Sequence, residues 1–371
     1  MEEQQTFEAF ATVLPGLESL LAEEMRELGF VVTTAVPGGV TFAAELPDIW
    51  RANLWLRGAT RVLVRIGSFR AMHLAQLDKR ASKFHWGDFL RPNIPIRVEA
   101  TCRKSRIYHA GAAKQRVENA IVKSVGVAID DSAILCVKVR IEDDLCSFSL
   151  DTSGDPLHKR GYKQAVGKAP LRETMGALFL RACAFDGHEP IVDPMCGSGT
   201  FVIEAAEIAA GLAPGRTRRF AFEDMANFDP EIWHELKREK RRVTGGYQAY
   251  GFDRDDGAIR NATANAERAG VANSTMFGRQ AVGELTPPDG PKGLVLVNPP
   301  YGGRIGNKKL LFGVYGAFGK TMQERFPGWR VGLVTNEEPL ARATGLPIVK
   351  KSDVIPHGGL KVRLYQTEPL R

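Results

Sequence analysis

Residues 189–210, EPIVDPMCGSGTFVIEAAEIAA, carry an apolar run into Asp193, then a turn holding Gly197 and Gly199, then a helical pattern. Strands and helical segments alternate from there onward, which predicts a mainly parallel, doubly wound α/β sheet. The two glycines let the chain turn tightly and remove side chains that would hold a ligand away from the backbone. Open N–H groups at the start of the helix can bind an anionic or polar ligand. Asp193 ends the strand, at the edge where such sheets bind ligands.

A glycine turn alone is compatible with several ligands. A P-loop needs Lys after its final glycine, whereas Thr200 and Phe201 follow here. A dinucleotide site prefers GxGxxG, and only one GxG is present. The next strand, within YQAYGFDRDDGAIRNATANAERAG, ends at Asp253, whose carboxylate can accept both hydroxyls of a ribose. The following helix carries Ala258, Ala262 and Ala266 at a spacing of four. Asp253 read only as a helix cap is the bland alternative.

The order Asp-x-x-x-Gly-x-Gly, then a strand ending in an acid, resembles the class I S-adenosylmethionine (SAM)-dependent methyltransferases from about residue 170 onward. The resemblance implies that Gly197 and Gly199 lie against the methionine part of SAM, that Asp193 lines its amino-acid end and that Asp253 holds its ribose. It extends cofactor contact to Pro194, Cys196, Ser198, Thr200, Arg254 and Asn298. The family often places an acid after the third strand for the adenine amino group; here Gln280 stands there, and its carboxamide oxygen can accept the same N–H.

The sequence GLVLVNPPYGGRIG, 293–306, ends an apolar strand in Asn298, Pro299, Pro300 and Tyr301. An amino group on a heteroaromatic ring is a poor nucleophile because its lone pair is delocalised. Two acceptors that hold its two N–H groups can turn that pair toward a sulfonium methyl. Asn298 supplies a side-chain oxygen, and Pro299 a main-chain oxygen without a competing N–H. The prolines stiffen the turn, and Tyr301 is expected to stack on a base taken out of its helix. The four residues, Asn298 to Tyr301, resemble the signature of amino-methyltransferases acting on adenine N6, guanine N2 or glutamine N5. Cys196 is read as packing rather than as a nucleophile.

Charge is distributed unevenly in the N-terminal half. Residues 1–50 hold nine acids and one base, and residues 51–116 hold fifteen bases and three acids. A segment so lopsided suggests a polyanion partner. Residues 1–56 read as strand, helix and hairpin, and residues 57–153 as alternating strands and helices closing in a hairpin turned on Asp143 and Asp144. RKSRIYH, 103–109, sets cations beside aromatic-type rings at a helix start, so Arg103, Lys104, Arg106, Lys114 and Arg116 are the expected RNA contacts. Residues 154–170, rich in Gly, Pro and Lys, read as a linker. Residues 211–246 read as an insertion carrying a basic helix, with RNA guidance and cover for the sheet both open as roles.

Residues 57–151 with LHKRGYK and APLRETMGALFLRA resemble THUMP-domain RNA methyltransferases, and the segment before them resembles their ferredoxin-like companion. VDPMCGSGTFVIEAA, VNPPYGGRIG and HGGLKVRLYQ are most similar to the bacterial large-subunit ribosomal RNA guanine-N2 methyltransferase group. The resemblance implies a ferredoxin-like domain over 1–56, a THUMP domain over 57–153, and a Rossmann-like doubly wound methyltransferase domain over 171–371. It implies SAM as cofactor and RNA as partner, with ribosomal RNA ahead of transfer RNA. Transfer-RNA guanine-N2, DNA adenine-N6 and protein glutamine-N5 methylation, and a silent RNA-binding protein, are the alternatives. The five cysteines show no CxxC spacing, so neither a zinc site nor a disulfide framework is expected. No apolar run approaches the roughly 18 residues of a membrane span, and the acidic N-terminus lacks a targeting pattern. The expected compartment is the cytoplasm.

Overall fold

A computed structural model of the chain describes residues 5–164, 171–239, 246–301 and 308–371. They form two compact units, one from residues 1–13, 22–157 and 217–239, the other from 14–21, 158–216 and 240–371. Among the described residues no helix is long and apolar enough to cross a membrane, and no group of three or more His, Cys, Asp or Glu is placed to hold a metal ion.

Along residues 5–157 the elements are β1 (Phe7–Thr12), α1 (Glu18–Glu27), β2 (Val31–Val36), β3 (Gly39–Ala44), α2 (Leu46–Trp55), β4 (Arg61–Arg70), α3 (Leu74–Ala81), β5 (Arg97–Arg103), α4 (Ala110–Val125), β6 (Cys136–Glu142) and β7 (Leu145–Asp151). One sheet joins all seven strands in the order β2-β3-β1-β4-β7-β6-β5. β4 pairs with both β1 and β7, so the sheet runs without a break across the boundary expected at residue 56. The β6–β7 turn is built on Asp143 and Asp144, both at positive φ. Gly126, in the left-handed conformation, closes α4.

The second unit holds α5 (Glu173–Ala182), β8 (Ile191–Asp193) and α6 (Thr200–Ala209). The chain then forms α7 (Pro230–Arg238) in the first unit. It continues in the second through β9 (Ala249–Asp253), α8 (Asp256–Ala269), β10 (Thr275–Arg279), β11 (Leu294–Val297), α9 (Lys308–Arg325), β12 (Arg330–Thr335), α10 (Glu338–Ala343), β13 (Ile348–Lys351), β14 (Ile355–His357) and β15 (Leu360–Thr367). The sheet order is β10-β9-β8-β11-β12-β15-β13, with β14 on β15. Strands β8 to β12 are parallel, and β15 runs antiparallel to β12. The order reverses at β8, so the ends of β8, β9 and β11 face one crevice, the switch point where doubly wound sheets bind ligands.

One expectation needs correction, and the place of the insertion can be given. Of the segment read as a linker, residues 154–157 belong to the first unit and 158–164 to the core of the second; residues 165–170 lie outside the described residues. Arg160 is 2% exposed and donates to the buried Glu204 of α6 at 3.1 Å, and Lys163 reaches Glu173 at 3.4 Å, Thr200 Oγ1 at 2.8 Å and the Leu171 carbonyl at 2.7 Å. Lysine and arginine there are paired rather than solvated. Burial pulls the Lys163 ammonium down and pushes the Glu173 carboxyl up, each partly offset by the other's charge. The helix of the 211–246 insertion, α7, belongs to the first unit: Phe222 stacks on Trp50 of α2, and Phe220, Phe228 and Trp233 complete an aromatic cluster there.

Candidate functional site

The glycine turn is tied to the end of β9. Cys196 N–H donates to the Phe252 carbonyl at 2.9 Å, and Gly197 N–H donates to Asp253 Oδ2 at 3.1 Å. Asp253 Oδ1 accepts the Asp255 N–H at 3.0 Å. Asp255 in turn caps α8 by accepting from Gly257 and Ala258, so the capping role considered for Asp253 belongs to its neighbour two residues on. A carboxylate accepts about four hydrogen bonds, and the two from Gly197 and Asp255 leave Asp253, half-buried, room for a pair of hydroxyls.

Both glycines of the turn have positive φ, 53° at Gly197 and 83° at Gly199, and their surroundings differ. A Cβ at Gly199 would press on Ala262, Phe277 and Ile203 at 3.2–3.3 Å. A Cβ at Gly197 would meet nothing within 4 Å. Gly199 is therefore needed for packing under α6, and Gly197 opens the backbone to whatever occupies the crevice. Asn265 donates to the Ser198 carbonyl at 3.0 Å and steadies the turn from α8.

Asp193 is 3% exposed and accepts the Met195 N–H at 3.1 Å. Burial, and then the nearby Asp253 charge, push its carboxyl well above the usual range. Pro194 is buried behind the turn, and Arg254 is exposed at the end of β9. Burial likewise raises the Cys196 thiol well above its ordinary value, with Asp193 and Asp253 adding to the shift, so Cys196 packs as a neutral thiol. The Thr200 hydroxyl accepts from Lys163, which leaves Thr200 mainly its backbone to offer a ligand. Gln280 follows β10, with its N–H on the Asp253 carbonyl at 2.9 Å and its Nε2 on the Glu284 carbonyl at 3.1 Å. That donation spends the amide nitrogen and leaves the side-chain oxygen as the group suited to an amino donor.

At the end of β11, Asn298 Oδ1 is buried and has no hydrogen-bond partner among the described residues. A buried open acceptor costs about 1–3 kcal/mol, so its persistence points to a donor that arrives with a ligand. Pro299 is buried beside it, and the Pro300 carbonyl lies 3.4 Å from the Tyr315 hydroxyl of α9. Tyr301 departs from expectation: its ring is fully buried and offers no face for a base to stack on. It anchors the turn instead.

The structure thus brings Asp193, the 194–200 turn, Asp253, Gln280 and Asn298 to the carboxyl edge of one sheet. The expected RNA contacts lie in the first unit. Arg103, Lys104 and Arg106 are exposed where β5 leads toward α4, Lys104 at a φ of 45°. Arg103 is 3.8 Å from Glu142, and Arg106 is 3.9 Å from Asp144. Tyr108 is 85% exposed, whereas His109 caps α4 through Nδ1 at 3.0 Å from Ala112 N. Lys114 is held by Asp131 at 2.8 Å and Glu118 at 3.5 Å; hydrogen bonding to Asp131 leads the causes that raise its pKa. Arg116 is exposed on α4. Sequence reasoning did not single out Arg65, Arg70 and Arg140, which line a groove with Glu142, Asp143 and Ser147. Strand alternation would put Arg65 and Arg70, five apart, on opposite faces; the register shift between Arg65 and Gly67 brings them to one side.

Comparisons with known proteins identify the family. Residues 160–357 match the model of the RMKL-like methyltransferase domain, and residues 8–63 match that of the RlmL ferredoxin-like domain. A Synechocystis protein provisionally named an RNA methyltransferase is 30% identical over 371 residues, covering 97% of this chain and 96% of that one. The ribosomal RNA large subunit methyltransferase K/L of Allochromatium vinosum is 35% identical, covering 97% of this chain and 52% of its own. The chain spans about half the length of the K/L methyltransferases it matches. Among solved structures, SMU.472, provisionally named a methyltransferase and complexed with S-adenosylhomocysteine (SAH), superposes with a TM-score of 0.89 at 28% identity, covering all of both chains. The chain therefore belongs to the RMKL-like family of methyltransferases.

Proposed function

We propose that this protein methylates RNA with SAM as cofactor, and that its target is the exocyclic N2 amine of a guanosine in large-subunit ribosomal RNA. The family and the names of the K/L relatives support a ribosomal substrate, and the SAH-bound neighbour supports the cofactor. The open acceptor on Asn298 carries the chemistry.

The residues present fit the cofactor. The clear space beyond Gly197 suits close approach of a ligand to the backbone, and the spare acceptor capacity of Asp253 suits a ribose. Asp193 lines the amino-acid end, and the Gln280 oxygen is available to an adenine amine. SAM supplies an electrophilic methyl group when bound. Asn298 Oδ1 and the Pro299 carbonyl accept the two hydrogens of the substrate amine and turn its lone pair out of conjugation. Pro299 and Pro300 bring no N–H that would compete for the amine's place. Tyr315 braces the turn from behind at the Pro300 carbonyl, so the two acceptors are preorganised rather than recruited. We read residues 57–153 as a THUMP-like RNA-binding region, with Arg103, Lys104, Arg106 and Arg116 on phosphates and the exposed Tyr108 as the base-stacking ring.

The test is incubation with methyl-labelled SAM and an unmodified 23S rRNA transcript, followed by digestion to nucleosides. Label in N2-methylguanosine is expected; label only in another nucleoside, or only in DNA or protein offered in parallel, refutes the reading. Asn298→Ala should abolish turnover while SAM affinity stays within about tenfold, because the lost interaction belongs to the substrate amine.

A further inference from the structure

A second open acceptor follows the neighbouring strand, two residues beyond the level of Asn298. β11 and β12 are parallel, with Val297 level with Leu333, so Asn298 and Asn336 are the residues that follow two neighbouring strands at the same edge of the sheet. The Tyr315 hydroxyl lies 3.4 Å from the Pro300 carbonyl and 3.1 Å from Thr335 Oγ1. One hydroxyl therefore touches both segments. Thr335 Oγ1 also lies 3.4 Å from the Glu337 N–H, which fixes the chain on either side of Asn336. Asn336 Oδ1 is buried without a hydrogen-bond partner among the described residues. Within the second unit, Asn298 and Asn336 are the only described carboxamides in that condition.

Two unmet buried acceptors at one edge call for a ligand that presents several donors along one side. The Watson–Crick edge of guanine does so, with N1–H directly beside the N2 amine. Adenine presents a lone pair at N1, which cannot satisfy the open oxygen of Asn336. We propose that Asn336 determines base specificity by accepting the N1–H of the target guanine while Asn298 and Pro299 hold its amine. This inference rests on the guanine-N2 reading above.

The experiment compares wild type, Asn336→Ala and Asn336→Asp on the unmodified 23S transcript with labelled SAM. A companion transcript carries 2,6-diaminopurine at the mapped target position; this base keeps the N2 amine and lacks N1–H. Wild type should discriminate against diaminopurine by roughly 100-fold or more, since a site built around a donor rejects the analogue without it. Asn336→Ala should lose about 10–100-fold in kcat/KM for the natural transcript and treat the two bases within about fivefold. Its SAM affinity by calorimetry should stay within about threefold, and Asn336→Asp, which keeps an acceptor oxygen, should retain the discrimination. The discrimination ratio is internal to each variant, so a general loss of folded enzyme leaves it unchanged. N2-methylguanosine formed by wild type with the ratio unaltered in Asn336→Ala overturns this inference alone, as does a loss confined to SAM affinity. N6-methyladenosine as the wild-type product overturns the guanine reading as well, because adenine has no N1–H to accept.

Discussion

Replacing Gly197 and Gly199 separately by alanine should split cofactor binding from folding, although the two stand one residue apart. Each glycine holds a positive φ, so each alanine carries the left-handed strain of about 1–2 kcal/mol. At Gly199 the new methyl also lands 3.2 Å from Ala262 Cβ and from Phe277 Cζ, and 3.3 Å from Ile203 Cδ1. Two of those neighbours are core side chains on α6 and α8, and overpacking of that kind brings the loss to about 2–5 kcal/mol. At Gly197 nothing stands within 4 Å of the methyl, so its stability loss should stop at the strain. The methyl there projects into the space assigned to SAM, and affinity should fall at least about tenfold, or about 1.4 kcal/mol. Denaturant titration of both variants gives the stabilities, and calorimetry with SAM gives the affinities. Gly197→Ala that binds SAM within twofold of wild type would refute the placement of the cofactor against this turn. Equal destabilisation by the two alanines would refute the packing role of Gly199.

Other perturbations follow from the buried charges and the basic surface. Removing the Arg160 side chain leaves the fully buried Glu204 without its guanidinium, and Arg160→Met should cost about 3–5 kcal/mol, with Arg160→Met/Glu204→Gln recovering at least half in thermal melts. Asp193→Asn should raise stability by more at pH 8 than at pH 5. The raised Asp193 pKa means the native state holds its proton where the unfolded chain has lost it, so this group favours folding at low pH and that contribution disappears as pH climbs toward the folded-state pKa. The asparagine variant lacks that loss, and melting curves across pH that run parallel to wild type would contradict it. Reversing Arg103 and Arg106 to Glu should weaken RNA binding and reduce the log–log salt slope by about 1–2, whereas Lys114→Ala, already engaged by Asp131 and Glu118, should change the slope little. An unchanged slope in the double reversal would move the RNA to another surface.

The parts of the site that were legible in the sequence are those made by the backbone of a short stretch. A positive φ selects glycine, a strand end selects an acid at a fixed distance from it, and an Asn-Pro-Pro turn has little conformational choice, so Gly197, Asp253 and Asn298 could be placed by local pattern. Arg160 and Lys163 could not. A cation-rich segment with glycines reads as solvated, and the carboxylates that reverse that reading, Glu204 and Glu173, belong to α6 and α5. The place of the 211–246 insertion could not be read for the same reason, since Phe222 has its partner in Trp50 on α2. Tyr301 shows that residue type alone does not decide between a stacking ring and an anchoring one.

The same distinction bears on how the two halves of the site differ. The proposed cofactor contacts come largely from one turn and the strand ends joined to it, through bonds such as Gly197 N–H to Asp253, and such a unit is set by spacing. The proposed substrate side draws on residues after two different strands, held in register by parallel pairing and by the hydroxyl of Tyr315 between Pro300 and Thr335. Asn336 has no motif around it, and only the fold brings it to the end of the strand next to that of Asn298. On the proposal above, base choice should change at Asn336 without disturbing the glycine turn that would hold SAM.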